Sequence, residues 1–485
     1  MRPGPKLLKG AKMAEYKKVT KKIIDQLVNI IGERYVIYDD VEKLENFSHD
    51  EITDKKYAHM PEVAVRPKNA QEIAEIMKLA NRENIPVTPR GAGSGLSGGA
   101  VPIYGGIVML FDRMNKILEV DKVNMMAVVE PGVVTNELNE MIEEDNLFFA
   151  GYPMSVESCY IGGNIAENAG GGRAVKYGVT GRYIMGVEVV TPEGEIIELG
   201  GKLMKNVVGY DLLKLMIGSE GTLGIFTKVT IKLLPLPKER VDLLVPFKDP
   251  EKAIASVPKI MTESGIIPTA IEFMDKLSFE TSYKFLNEHF SHDDAGAMLL
   301  IEIDGTSAEQ LEKEYEMVGK LCQENGALEV YVADNHTTIE RVWRVRRNIA
   351  EAFMVYSPVQ SLEDIVVPIG NIPKILGDIN LIAEKHDVLI PTYGHAGDGN
   401  LHATVVKKQE MDMNKWEETL PLVLKDLYQK TYDCGGTISG EHGIGHKRKK
   451  YMTDCVGAPA VEIMKRIKRA FDPNNILNPG KVIDA

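Results

Sequence analysis

PRGAGSGLSGG, from Pro89 to Gly99, decides how this chain is read. Five of its eleven residues are glycine, and it follows a short apolar run, Ile85-Pro86-Val87, that predicts a strand. Glycine lacks a Cβ, so such a loop can turn sharply and bring backbone N–H groups against a phosphate. Gly93-Ser94-Gly95-Leu96-Ser97-Gly98 is a formal G-x-G-x-x-G match. A Rossmann fingerprint opens a helix. This string instead runs on into Gly99, Pro102, Gly105 and Gly106, which do not make an amphipathic helix. The expectation is a pyrophosphate cradle built of loop alone. A plain surface loop is the alternative, and it must also account for a second glycine cluster.

That second cluster is IGGNIAENAGGGRAVKYG, Ile161 to Gly178, in which Ile161, Ile165 and Ala166 alternate with polar Asn164 and Asn168. Backbone lying close to a flat ligand explains the mixture. Together the two clusters resemble the FAD-binding domain of the vanillyl-alcohol oxidase / p-cresol methylhydroxylase superfamily. The resemblance continues through VEVVTPEGEIIELG (Val187 to Gly200) and IGSEGTLGIFTKVTIKLLP (Ile217 to Pro235). It implies that FAD is lined by Arg90, Gly91, Ala92, Gly93, Ser94 and Gly95 of the first cluster. From the second and its approach it adds Pro153, Ser158, Gly162, Gly163, Asn164, Asn168, Gly171, Tyr177 and Gly178. Gly221, Ile225 and Asn478 complete the set. The superfamily often attaches FAD through a histidine, but none occurs in PRGAGSGLSGG, so a non-covalent flavin is expected.

Two glycine-rich segments of the second half carry the chemistry. YGHAGDGNLHATVV, Tyr393 to Val406, sets His395 and His402 around a Gly-Asp-Gly turn, and SGEHGIGHKRKKYM, Ser439 to Met452, supplies Glu441 beside His442. Two imidazoles and a carboxylate suit one divalent metal with positions left open for substrate, and zinc, iron and manganese all accept such a set. These segments resemble the C-terminal region of the FAD-dependent D-2-hydroxyacid dehydrogenases, the group of D-lactate dehydrogenases, the FAD-linked chain of glycolate oxidase and D-2-hydroxyglutarate dehydrogenase. The group pattern, H-x-G-D-G-N-x-H followed by G-E-H-G, is present in full. Carried over, His395, His402 and Glu441 bind the metal, His442 is the catalytic base and Asn400 helps line the site. The group also has an arginine three residues after a tryptophan, here Arg346 after Trp343 in VWRVRRNIAEAF, expected to hold the substrate carboxylate. An exposed helix face is the alternative for Arg346.

Composition narrows the class. The chain has 485 residues, 44% hydrophobic and 26% charged, with a net charge of −13. That is a globular protein of two or three domains, and the acidic balance disfavours a nucleic-acid binder. No apolar run approaches the roughly 18 residues of a membrane span. The basic start MRPGPKLLKGAKM lacks the apolar core of a secretory signal, so a cytoplasmic location is expected, with residues 1–12 either a tag or an upstream extension. Cys159, Cys322, Cys434 and Cys455 show no C-x-x-C spacing, which argues against iron–sulfur or zinc-ribbon sites. The basic run His446 to Lys450 predicts a solvated helix face, or else a docking patch for an acidic partner.

Periodicity predicts an α+β protein. Helices are expected around Lys17 to Ile31, after Asn69 with Glu72 in a capping box, and from Thr135 with Leu138 and Met141 inward. Strands are expected at Ile85–Thr88, Ile107–Phe111, Met126–Glu130, Val187–Thr191, Ile196–Leu199 and Phe226–Leu234. After Pro235-Leu236-Pro237 the order is strand Val241–Pro246, helix Pro250–Ser264, strands Thr269–Phe273 and Met298–Ile303, helix Ala308–Asn325 and strand Leu328–Val332. That is the split βαβ, ferredoxin-like arrangement. A further alternation of strand and helix covers Asp364 to His402, and a helix at Pro459–Phe471 precedes the tail. The expected division is an N-terminal extension and helix (1–57), a two-part FAD-binding domain (58–238), a substrate or cap domain (239–450), and a C-terminal helix and tail returning to the flavin (451–485).

The resemblance implies an FAD-dependent dehydrogenase that oxidises a small D-2-hydroxy acid to the 2-oxo acid, by metal-assisted deprotonation of the hydroxyl and hydride transfer to flavin. D-lactate is the first choice, then glycolate or D-2-hydroxyglutarate. Electrons pass to a partner protein, with an electron-transferring flavoprotein favoured over a quinone pool or an iron–sulfur subunit. The rival readings are a nicotinamide-dependent reductase on the same flavin fold and a non-catalytic electron-transfer subunit of a larger complex.

Overall fold

The structure is a computed structural model that describes residues 16–289 and 292–485; the question of residues 1–12 lies outside them. The first part holds two sheets. Val63–Val65, Ile107–Leu110 and Val87–Arg90 run parallel, with Val36–Ile37 antiparallel at the edge. Helix Ala70–Glu83 packs Ile73, Ile76, Met77 and Ala80 into the core beside them. Asn69 caps it by accepting from the Glu72 N–H at 2.9 Å, while Glu72 accepts from Lys68 N–H at 2.9 Å. The second sheet is antiparallel and five-stranded, in the order Ile117–Asp121, Met126–Val129, Ile225–Lys232, Ile184–Val190, Ile196–Gly200. Helix Thr135–Glu143 buries Leu138 and Ile142, whereas Met141 is 51% exposed. The inward stripe expected through Met141 is one residue out of phase.

The glycine loop of residues 91–99 is irregular, as a loop-only cradle requires, and leaves the carboxyl end of strand Val87–Arg90. Ligands of open parallel sheets collect at that end. In the second cluster, Ile161–Glu167 is a helix. Glycines weaken helices by roughly 1 kcal/mol each, and here packing overrides that. A Cβ at Gly162 would lie 2.7 Å from the Pro131 side chain.

The second part is one seven-stranded antiparallel sheet. Its order is Tyr331–Ala333, Glu239–Phe247, Ala297–Gly305, Ala270–Asp275, Thr392–His395, Asn400–Val406, Gln360–Val366. The first four strands, with helices Pro250–Ser264 and Ala308–Glu324, have the split βαβ order. The stretch from Asp364 to His402 forms no separate layer and extends that sheet by three strands. Helices Lys276–Phe285 and Met413–Asp433 add to the expected elements. One face of the sheet packs on Val257, Ile260, Ile375, Ile379, Val423 and Leu427; the other packs Ala270, Met274, Leu300 and Tyr393 against Phe279, Trp343 and Phe353 and also carries the polar groups of the site.

The basic run is a correction. Lys447 is only 7% exposed and Arg448 is fully buried. Both turn inward because Glu363 is buried there, 2.9 Å from Lys447 Nζ and 3.5 Å from Arg448 Nε. Ser361 Oγ and Tyr428 OH also donate to that carboxylate. Burial alone would raise the Glu363 acid, but the two cations lower it to about 2. Replacing Glu363 with alanine strands two buried cations and is expected to cost about 3–5 kcal/mol, read from the urea unfolding midpoint.

Candidate active site

Strand register brings the site together. In adjacent strands Glu272 pairs with His395, and Tyr393 pairs with His402, which in turn pairs with Asp364. Directly paired residues share a face, so Glu272, His395, His402 and Asp364 all project from the face opposite Val257, Ile375 and Val423. The turn between His395 and Asn400 lets both strands end at the same place.

Segment 439–442 is fixed to this face by one side chain. Asp364 Oδ2 accepts from Ser439 Oγ at 2.7 Å and from the backbone N–H groups of Gly440, Glu441 and His442 at 2.9, 3.0 and 2.8 Å. Asp364 Oδ1 accepts from Asn400 Nδ2 at 2.7 Å. Burial disfavours this charge, yet His442, His402 and the backbone donors hold the acid well below its usual range. Asn400, expected to line the site, therefore spends its amide on Asp364.

Three imidazoles then converge on one carboxylate oxygen. Glu441 Oε1 is 3.3 Å from His395 Nε2, 3.4 Å from His402 Nε2 and 3.6 Å from His442 Nε2. Donors about 2.1 Å from a common tetrahedral ion stand roughly 3.4 Å apart, so these residues fit a divalent metal. Asp364, His402, Glu441 and His442 also offer ligand atoms that all lie within 4.8 Å of one another. His395 Nδ1 is tied to Glu272 Oε1 at 2.5 Å, which orients its Nε2 as a metal-binding histidine needs. Burial would raise the Glu441 acid, but the histidines lower it to about 2, while burial lowers His402 to about 3.

Arg346 closes one side. It is 4% exposed, its Nε donates to Glu272 Oε2 at 2.7 Å, and its guanidinium lies over the Tyr393 ring. Its Nη2 is buried and has no partner. Arg344 and Arg347 point outward, so the exposed-face alternative describes the neighbours and not Arg346. Glu272 and Asp364 organise this cluster, and the motifs do not single them out. The available signal is a lone acid inside an apolar strand, as in Ala270-Ile271-Glu272-Phe273-Met274.

Glu441 and His442 of this cluster stand in the wall of a cleft of about 250 Å³. Arg90, Gly91, Ala92, Gly93, Ser94 and Gly95 line it from the first glycine loop. Pro153, Gly162, Gly163 and Asn164 face them, and Gly221, Ile225, Asn478, Glu441 and His442 complete the wall. Asn478 Nδ2 donates to Gly99 O at 3.0 Å and Glu220 O at 2.8 Å, which ties the C-terminal tail into the cradle. Ser158, Asn168, Gly171, Tyr177 and Gly178 lie outside these walls. Asn168 instead accepts from Gly181 N–H at 2.8 Å, and Tyr177 OH donates to Asp304 at 2.8 Å. The second glycine cluster has a further use: a Cβ at Gly172 would lie 2.7 Å from Glu272 Oε1, and one at Gly170 would lie 3.2 Å from Glu441. Those glycines let the imidazole cluster meet the cleft.

Family models match both parts, an FAD-binding domain over residues 61–200 and the C-terminal domain of FAD-linked oxidases over residues 236–482. The chain belongs to the FAD-linked oxidase family. It is 39% identical to a D-lactate dehydrogenase of Anaerostipes hadrus, over 96% of this chain and 98% of that one. It is 38% identical to glycolate oxidase subunit GlcD of Bacillus subtilis, over 96% and 97%. A D-2-hydroxyglutarate dehydrogenase of Stutzerimonas stutzeri is 31% identical over 96% and 99%. Among solved structures, p-cresol methylhydroxylase with bound substrate superposes with a TM-score of 0.79 at 18% identity, covering 97% of this chain and 98% of that one. That likeness shows the fold, and with it the α+β flavin architecture expected from the glycine clusters. This FAD-linked oxidoreductase has no helix among its described residues long and apolar enough to cross a membrane.

Proposed function

We propose that this FAD-linked oxidoreductase dehydrogenates a small D-2-hydroxy acid to the 2-oxo acid, with D-lactate the first candidate and glycolate the second. One observation carries the reading: three imidazoles converge on Glu441 at the wall of the flavin cleft, beside a buried arginine with an unpaired guanidinium nitrogen. The relatives named for D-lactate, glycolate and D-2-hydroxyglutarate support it.

Bound FAD supplies the hydride acceptor, and a divalent metal on His395, His402 and Glu441 supplies a Lewis acid that lowers the hydroxyl pKa. The FAD is held without a covalent bond. Arg346 receives the substrate carboxylate on its free edge while Glu272 fixes the rest of its fork. This anchoring sets the α-carbon and hydroxyl in one orientation. His442, which borders both the cleft and Glu441, takes the hydroxyl proton at Nε2. Asp364 keeps His442 in place through its backbone N–H. The other arginines turned toward this face are spent, Arg173 on Glu302 at 3.1 Å and Arg240 on Asp242 and Glu302 at 3.0 and 2.9 Å. That favours a substrate with one carboxylate, and so D-lactate or glycolate ahead of D-2-hydroxyglutarate.

Turnover of D-lactate with an artificial dye tests the reading against a nicotinamide reductase and a non-catalytic subunit. Chelation is expected to abolish that turnover while FAD stays bound; full activity in a metal-free preparation refutes the metal assignment. Arg346→Lys is expected to raise KM by roughly tenfold or more with a smaller change in kcat, because an ammonium cannot make the two-pronged carboxylate contact. Steady-state kinetics on D-lactate check this. For reoxidation of the flavin, the favoured acceptor is an electron-transferring flavoprotein, ahead of a quinone pool or an iron–sulfur subunit. Rapid reoxidation by oxygen alone, with stoichiometric peroxide, refutes that choice.

A further inference from the structure

Glu272 lies in Ala270–Asp275, the middle strand of the large sheet, and is fully buried. Among the described residues it is the only acid paired with both His395 and Arg346. Each oxygen of its carboxylate has one partner. Oε1 meets His395 Nδ1 at 2.5 Å, and Oε2 accepts from Arg346 Nε at 2.7 Å. Backbone closes a third side, since a Cβ at Gly172 would lie 2.7 Å from Oε1 and 3.5 Å from His395 Nδ1. On the same strand face, Ala270 and Met274 belong to an apolar cluster with Trp343 and Phe353. His395 and Arg346 are themselves buried, so a donor set free there has no ready replacement partner.

The two partners make the same demand of this acid. A histidine that binds metal through Nε2 carries its proton on Nδ1, which then donates. The Arg346 Nε–H donates in every state. Two donors at one place need two acceptor oxygens, and an ionised carboxylate supplies both. A glutamine of the same shape supplies one oxygen and one NH2 group. The arginine, a permanent cation, takes the amide oxygen in the stronger, charge-assisted bond. The NH2 then faces His395 Nδ1, and the ring answers by moving its proton to Nε2. That move removes the lone pair a metal needs.

We propose that Glu272 is a positioning residue that fixes the His395 tautomer for metal while it holds the Arg346 fork, one carboxylate oxygen for each. Metal affinity and substrate-carboxylate binding thereby share a single buried acid. The role rests on the proposed reading of His395 as metal ligand and Arg346 as carboxylate anchor. It adds that Arg346 decides which tautomer an amide at position 272 imposes.

Mn2+ titrated into metal-free holoenzyme, with the free ion followed by electron paramagnetic resonance, tests this. Glu272→Gln is expected to weaken Mn2+ binding by roughly 10- to 100-fold, with FAD content unchanged. In Glu272→Gln/Arg346→Leu the competing donor is gone, so the amide oxygen turns to His395 Nδ1. Mn2+ affinity is then expected to return to within roughly threefold of the parent, the non-additivity of groups that share a partner. Proton NMR of the Zn2+-loaded forms is expected to show a downfield histidine ring N–H that disappears in Glu272→Gln and returns in the double variant. A merely structural loss would be deepened by the second substitution. Parent-like Mn2+ affinity in Glu272→Gln, or no recovery in the double variant, overturns the proposal. If the Mn2+ series behaves as expected but D-lactate and glycolate leave the flavin oxidised, the proposed function falls and the role of Glu272 stands. If D-lactate reduces the flavin and Glu272→Gln binds Mn2+ like the parent, only the role of Glu272 is refuted.

Discussion

His442→Ala lowers kcat for D-lactate by roughly 10²–10⁴, the range expected for loss of a general base, while metal and FAD stay bound. The metal is expected to survive because His395 is held from behind by Glu272 at 2.5 Å and both His395 and His402 sit on paired strands. The backbone N–H of residue 442, which Asp364 holds at 2.8 Å, is unchanged by the substitution. Rapid-reaction measurement of flavin bleaching by D-lactate, beside metal analysis and a flavin spectrum, checks all three. Loss of metal together with activity would make His442 a ligand. Its Nε2 distance of 3.6 Å to Glu441 makes that the sharp alternative.

Gly93→Val is expected to strip the flavin. Gly93 has φ +82°, a conformation that L side chains rarely adopt, and a Cβ there would overlap the Arg90 guanidinium. Arg90 cannot readily yield, because its Nη1 donates to His49 O at 2.6 Å. Backbone strain and overlap together cost about 3 kcal/mol, or roughly 10²-fold in FAD affinity. Gly93→Ala shares the strain with less bulk and should fall between parent and valine. The measurement is flavin content after gel filtration. In the parent protein, acid precipitation should release all of the yellow colour, since the first glycine cluster has no histidine for a covalent link.

Several local features are legible in the sequence because their causes are local. The Asn69 cap, the helix Pro250–Ser264 and the glycine loop of residues 91–99 depend on neighbours in the chain. Where tertiary packing decides, the pattern along the chain misleads. Helix Ile161–Glu167 carries two glycines in its first turn, and Pro131 leaves no room for a side chain at Gly162. The basic run reads as solvent-facing until Glu363 is seen beneath it, 84 residues earlier in the chain than Lys447. The phase of helix Thr135–Glu143 differs by one residue from expectation, because Met141 and Ile142 are equally apolar and only the core distinguishes them.

The sequence by itself determined the residue types of this site and their local spacing: the loop-only cradle, the His395–His402 strand pair and the Glu441-His442 dipeptide. It also carried the family, through motifs whose spacing depends on chain neighbours alone. Only the tertiary structure decided which groups act on one another. Glu272 reaches His395 across 123 residues, and Asp364 reaches the His442 backbone across 78. Those distances are closed by strand register, which puts every second residue of paired strands on one face whatever their separation in sequence. A pattern read along the chain does not show that pairing, because it is set by which strands lie side by side in the sheet.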